Sequence, residues 1–277
     1  MARSSYVRGK KKKEDRTAIL VIVIVLIIAI AAATFFYINN KNTINIVQDQ
    51  NDSFYLCPET GPYGATTILI DKTDPFNETQ ILDIKRKILL EKENLEKHTR
   101  LTVFVINDQQ IKVKPVFSIC NPGDASDITN FDQKLAPDFY QKQYEKKFEE
   151  PLNNVLEVLS VVEKADTSPI MEMIQHVSVS TFPLKETKHG NRLIIISDMI
   201  QNSPPNFSMY SSYDFNNFKN SSYYKKINTN LRDASIYILK TRQPNFEHLQ
   251  GEKLIKFWQS YFKDMDSGNF TIDPVEG

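Results

Sequence analysis

TTILIDKTD, residues 66–74, is a short β-branched and aliphatic run that stops on Asp71, Lys72, Thr73 and Asp74. The stretch that follows, residues 77–98, places Ile81, Ile84, Ile88, Leu89 and Leu95 close to helical spacing. The two segments predict a strand, a loop and an amphipathic helix. A second apolar run, RLIIISDMI at 192–200, lacks any polar alternation, as expected of a strand buried on both faces of a parallel sheet. ASIYILKT at 234–241 is another run of this kind.

Working outward, RLTVFVIND (100–108) and IKVKPVFSIC (111–120) are strand-like and separated only by polar residues, which is hairpin spacing and makes the second antiparallel to the first. Residues 137–165 read as helical, broken or bent at Pro151. A further helix begins at Thr167 to Pro169, where hydroxyls precede a proline at the first turn. HLQGEKLIKFWQSYFKDM supplies a last helix and NFTID a short terminal strand. Strands alternating with helices predict a three-layer α/β domain, a doubly wound, mostly parallel sheet with one antiparallel edge strand. Residues 201–230, dense in Asn, Ser, Tyr and Phe, suit either a tyrosine-rich binding surface or a solvent loop with a short helix near 215–226.

Upstream, residues 18–38 form an unbroken apolar run, the length a helix needs to cross a bilayer. Arg8, Lys10 to Lys13 and Arg16 precede it and hold residues 1–17 in the cytoplasm. The reading is a single-pass inner-membrane protein: basic tail 1–17, transmembrane helix 18–38, linker 39–65 and a periplasmic or otherwise extracytoplasmic domain 66–277. A cleaved secretory signal using Ala31 to Ala33 is the alternative, and it leads to the same compartment. The chain carries 34 basic and 34 acidic side chains, seven and two of them in residues 1–16, so the remainder has 27 and 32. That mild acidity argues against a nucleic-acid partner. With eight glycines there is no phosphate-binding loop, and the four histidines are scattered without zinc spacing.

In open α/β sheets ligands lie beyond the carboxyl ends of the strands. Two strands here deliver oxygen-bearing residues to that edge, Asp71 and Thr73 from the first and Ser197 and Asp198 from the later one. Such groups suit Mg²⁺, Mn²⁺ or Ca²⁺ better than zinc. They equally suit plain backbone duties, since acids end strands and cap helices. In these residues and in the order of elements from about 66 to 275, the chain resembles a von Willebrand factor A-type domain. It is similar to membrane-anchored bacterial proteins of that type with a degenerate metal-ion-dependent adhesion site. The resemblance implies Asp71 and Thr73 as the first two positions of an Asp-x-Ser-x-Ser motif, Thr167 as the distant threonine with Ser168 as the alternative, and Asp198 as the fourth-strand aspartate. Pro75 stands where the second serine belongs and offers no oxygen, so the Mg²⁺ or Mn²⁺ site is incomplete.

The fold so read brings Cys120, at the end of the antiparallel strand, to the edge where the first strand begins and Cys57 precedes it. That makes a disulfide geometrically reasonable in an oxidising compartment; two buried thiols are the alternative. The implied function is a binding module, not an enzyme, presenting Asp71, Thr73, Asp198 and residues 201–230 to another membrane or envelope protein. Two other readings remain. ILIDKT and LIIIS also resemble the first two motifs of haloacid-dehalogenase-type phosphatases, which would make Asp71 a nucleophile, although Thr73 stands where their second aspartate belongs. A metal-free scaffold of a membrane complex follows from Pro75.

Overall fold

A computed structural model describes residues 56–106, 114–127, 137–161, 165–211 and 213–277. The expected cytoplasmic tail, the transmembrane segment 18–38 and linker residues 39–55 lie outside the described residues. Among the described residues no helix is long and apolar enough to cross a membrane.

The central sheet has six strands: β1 (Gly64–Asp71), β2 (Thr99–Ile106), β3 (Phe117–Cys120), β4 (Gly190–Ser197), β7 (Ser235–Lys240) and β8 (Phe270–Pro274). Their spatial order is β3-β2-β1-β4-β7-β8. All neighbours are parallel except β2 and β3. The two apolar runs TTILID and LIIIS are therefore adjacent at the centre, with Ile70 paired to Ile196. A two-strand hairpin, β5 (Asn202–Ser203) and β6 (Phe207–Ser208), stands apart from the sheet.

Strand alternation divides the core. On one face Leu69, Leu193, Ile195, Ile236 and Ile238 pack against helix α4 (Ile170–Ser180) and helix α7 (Glu252–Asp264). On the other, Ile68, Ile70, Ile194 and Ile196 meet Ile84 and Ile88 of helix α1 (Glu78–Glu93) and Leu152, Val155 and Leu156 of helix α3 (Glu150–Leu156). The result is the three-layer arrangement expected from the pattern. α1 starts cleanly because Asn77 and Gln80 form a reciprocal capping box.

Pro151 does not break its helix. Helix α2 (Pro137–Tyr144) runs into a π turn at Glu145–Glu149, in which the Glu150 amide bonds to Glu145 O, and α3 follows. Proline has no amide to donate and its ring crowds the preceding turn, so a wider turn just before it keeps the helix continuous. The described part of the second hairpin strand is shorter than the pattern suggested, because Lys114 to Val116 lie outside β3, although the Val116 amide still bonds to Val103 O at 2.8 Å. The last helix begins at Glu252 rather than His248, since Pro244–Leu249 form a 3-10 turn and Gly251 is the cap.

Residues 201–230 contain the helical turns expected near 215–226, but the segment is not a solvent loop. The segment folds into the β5–β6 hairpin and the short helices α5 (Phe215–Lys219) and α6 (Ser222–Ile227). Its aromatic residues turn inward: Tyr213, Phe218, Tyr223 and Tyr224 are buried with Phe257, Trp258 and Tyr261 of α7. The Phe218 and Phe257 rings lie 5.3 Å apart. These side chains complete the core over α4 and α7; Tyr210 stays exposed.

At the opposite end of the sheet Cys57 and Cys120 are joined by a disulfide spanning 63 residues of sequence. It ties the residues leading into β1 to the edge strand β3.

Candidate functional site

The parallel register of β1 and β4 brings Asp71 and Ser197 to the same edge. Asp71 is buried there, and its carboxylate accepts four hydrogen bonds. Oδ1 receives the Thr73 amide at 3.1 Å and the Thr73 hydroxyl at 2.7 Å. Oδ2 receives the Ser168 hydroxyl at 2.9 Å and the Ser197 hydroxyl at 2.7 Å. From the segment before α4, then, the hydroxyl on Asp71 is that of Ser168. Thr167, one residue earlier and partly exposed, is not among Asp71's partners.

Two further contacts fix that segment. The Ala165 amide bonds to Thr73 O at 3.0 Å. Ser168 and Asn202 exchange backbone bonds at 2.8 and 2.9 Å, so the stretch before α4 is held to β1 on one side and to the β5 strand on the other.

Asp198 follows Ser197 and is buried; its Oδ1 accepts the Ile200 amide at 2.8 Å. Burial, with the Asp71 and Asp74 charges adding to it, holds its carboxyl well above the usual carboxylate range, against the pull of the Ile200 amide. Met199 takes a positive φ of 64°, the turn that carries the chain away from the sheet after Asp198. That left-handed conformation costs a non-glycine residue about 1 kcal/mol. It is offset by the Met199 amide bonding to Ser197 Oγ at 2.8 Å and by Trp258 Nε1 donating to Met199 O at 2.8 Å. Gln250 closes the other flank, donating to Asp198 O at 3.2 Å and Thr241 O at 2.8 Å.

Gln201, fully buried, is a residue the sequence reading did not single out. Its Oε1 accepts the Met171 amide at 2.9 Å, and its Nε2 lies 2.9 to 3.0 Å from Ser203 Oγ, the Tyr223 hydroxyl and Glu172. It locks the chain after β4 onto the start of α4. Nothing in local sequence marks it, because its partners come from three separate segments.

At the rim the Tyr210 ring meets Phe246 edge-on at 4.8 Å between centroids. Burial, followed by the charges of Asp198, Asp74 and Asp71, pushes the Tyr210 phenol up to about 12. Tyr210 stands just beyond Met209, whose amide bonds to Gln201 O at 2.9 Å.

An ion of the kind the sequence reading expected would use hard oxygen atoms. Thr73, Ser168 and Asp198 supply three such groups. Pro75 supplies none, and Ser197 Oγ already accepts the Met199 amide while donating to Asp71. Asp71, with about four lone-pair sites, has four donors within the chain. Of the expected ligand set, the second motif serine is thus missing, and the Asp71 oxygens are engaged from within the chain. Among the described residues, no group of three or more His, Cys, Asp or Glu side chains is placed to hold a metal.

No family model matches the chain, and no curated protein matches it by sequence. Among solved structures, it is similar to the SpRpn10 VWA domain at 15% identity, covering 77% of this chain and 89% of that one, with a TM-score of 0.38. It is also similar to the conserved hypothetical protein BatB from Bacteroides thetaiotaomicron at 12% identity, covering 76% and 91%, with a TM-score of 0.35. At identities and TM-scores this low, neither likeness informs the site or its partners.

Proposed function

We propose that this chain is a membrane-anchored, extracytoplasmic binding module of the von Willebrand factor A type, presenting the carboxyl edge of its sheet to another protein. The observation that carries this reading is the convergence of Asp71, Thr73, Ser168, Ser197 and Asp198 at the ends of two adjacent central strands, with the exposed Tyr210 just beyond the Met209 amide that bonds to Gln201 O. The sheet order with a single antiparallel edge strand supports the fold type. The apolar run 18–38 behind a basic tail supports the anchor, and the Cys57–Cys120 disulfide supports an oxidising compartment.

A phosphatase role for Asp71 draws less support. A nucleophilic carboxylate needs an oxygen directed at the incoming phosphorus, whereas each Asp71 oxygen receives two internal donors.

A photo-crosslinking residue at Tyr210, on the rim, is expected to trap a partner in the native membrane. The same residue at Leu184, which is 87% exposed near the opposite edge, is expected to trap none. Equal labelling from both edges would defeat the reading.

A further inference from the structure

We infer that the crevice works without a divalent ion, so that binding at this edge is constitutive rather than cation-gated. The inference rests on the reading of this edge as the partner-binding surface and adds how it is regulated.

The hydrogen-bond donors that the Asp71 carboxyl needs are already supplied by the chain. Three hydroxyls and one amide, from Thr73, Ser168 and Ser197, surround the Asp71 carboxylate at 2.7 to 3.1 Å. All the acceptor sites of this carboxyl are thus met from within the chain. The hydroxyls of Thr73 and Ser168 retain oxygen lone pairs, Ser197 Oγ keeps one beside the Met199 amide it accepts, and Pro75 contributes no oxygen. Mg²⁺ keeps several waters and is usually held by one or two carboxylates; here both Asp71 oxygens are taken by donors from within the chain, and Pro75 stands where a further hydroxyl would be needed.

The backbone gives a second, independent argument. A cation-gated edge needs a segment that rearranges when the ion arrives. Residues 165–168 are tied to Thr73 O through the Ala165 amide at 3.0 Å, to Asn202 by the paired bonds of Ser168, and through Asp166 O to the Asn202 side chain at 2.8 Å. The arrangement is thus closed without an ion.

The test uses the full chain in detergent, titrated calorimetrically with MgCl₂ and MnCl₂ and melted in EDTA and in each salt. No saturable heat is expected, and the unfolding midpoint is expected to move by less than about 1 °C. Saturable binding that disappears in Ser168→Ala would overturn the inference; binding that survives Ser168→Ala lies elsewhere and leaves it standing. Crosslinking from Tyr210 is expected to be equal in EDTA and in Mg²⁺, and its loss in EDTA would overturn the inference as well. If Tyr210 traps nothing in either buffer, the binding-module reading fails, while the calorimetry still decides whether the crevice takes an ion.

Discussion

Ser197, the last residue of β4, donates its hydroxyl to Asp71 Oδ2 at 2.7 Å, joining the ends of the two central strands side chain to side chain. The same oxygen accepts the Met199 amide at 2.8 Å, so one serine both closes the strand pair and fixes the turn beyond it.

Asp71→Ala removes the shared acceptor of three hydroxyls and an amide. Unpaired buried polar groups cost about 1–3 kcal/mol each, and some of these will find one another, so a net loss of about 2–4 kcal/mol is expected. Asp71→Asn keeps one accepting oxygen and is expected to lose less. Urea denaturation with an unchanged m-value checks both, and a loss in Asp71→Ala below about 0.5 kcal/mol would contradict the role given to this carboxylate.

Trp258 is the chain's single tryptophan, buried in α7, with its ring nitrogen on Met199 O. Its fluorescence reports directly on the turn after Asp198. Trp258→Phe removes that hydrogen bond and leaves part of the ring volume empty, for an expected loss of about 2–3 kcal/mol. Tyr210→Ala, at the exposed rim, is expected to leave stability within about 0.5 kcal/mol while abolishing partner capture.

The disulfide closes a separation of 63 residues, for which chain entropy predicts a contribution of about 4 kcal/mol. Cys57→Ser with Cys120→Ser is expected to lower the unfolding free energy by about that amount and to leave the parallel strand pairs intact. Equilibrium unfolding with and without reductant measures the loss on the wild-type chain.

Acid is expected to weaken the side of the sheet where α1 meets β8. Lys87 bridges Asp83 at 3.2 Å and Asp273 at 2.9 Å. Burial pushes Asp83 up, but the Glu276 amide, Arg86 and Lys87 together outweigh it and leave the carboxyl below its ordinary range. The hydrogen bond from Lys87 lowers Asp273, and Tyr237 adds to it against burial. A carboxyl depressed in the folded state stabilises above its unfolded pKa and loses that contribution as pH falls through the folded value. The contribution of this side of the sheet is therefore expected to be lost below about pH 4, while Asp198, raised by burial, acts in the opposite sense and adds stability as pH falls through its folded value. Comparing midpoints of wild type and Lys87→Met across pH isolates the first effect. In Lys87→Met the chain is expected to be weaker at neutral pH, and its acid-induced loss to be shallower.

Much of the fold was legible in short patterns. The apolar runs ending in Asp71 and at Ser197 announced central strands, and the polar break between residues 100 and 120 announced an antiparallel pair. Asn77 with Gln80 formed the capping box at the start of α1. The tyrosines of 201–230 were ambiguous for a physical reason: an aromatic ring suits a wet interface and a dry core equally well. α7 settled the matter by presenting Phe257, Trp258 and Tyr261 to them. Thr167 and Ser168 were indistinguishable by spacing, and only the backbone pairing of Ser168 with Asn202 aims the second hydroxyl at Asp71.

What the sequence by itself determined was the set of strands and helices and the residues that end them, because hydrophobic period and capping act over a few neighbouring positions. Only the tertiary structure decided which strands adjoin, which hydroxyl reaches the acid and how Gln201 is satisfied, because hydrogen-bond partners 97 or 126 residues away from Asp71 leave no trace in local spacing.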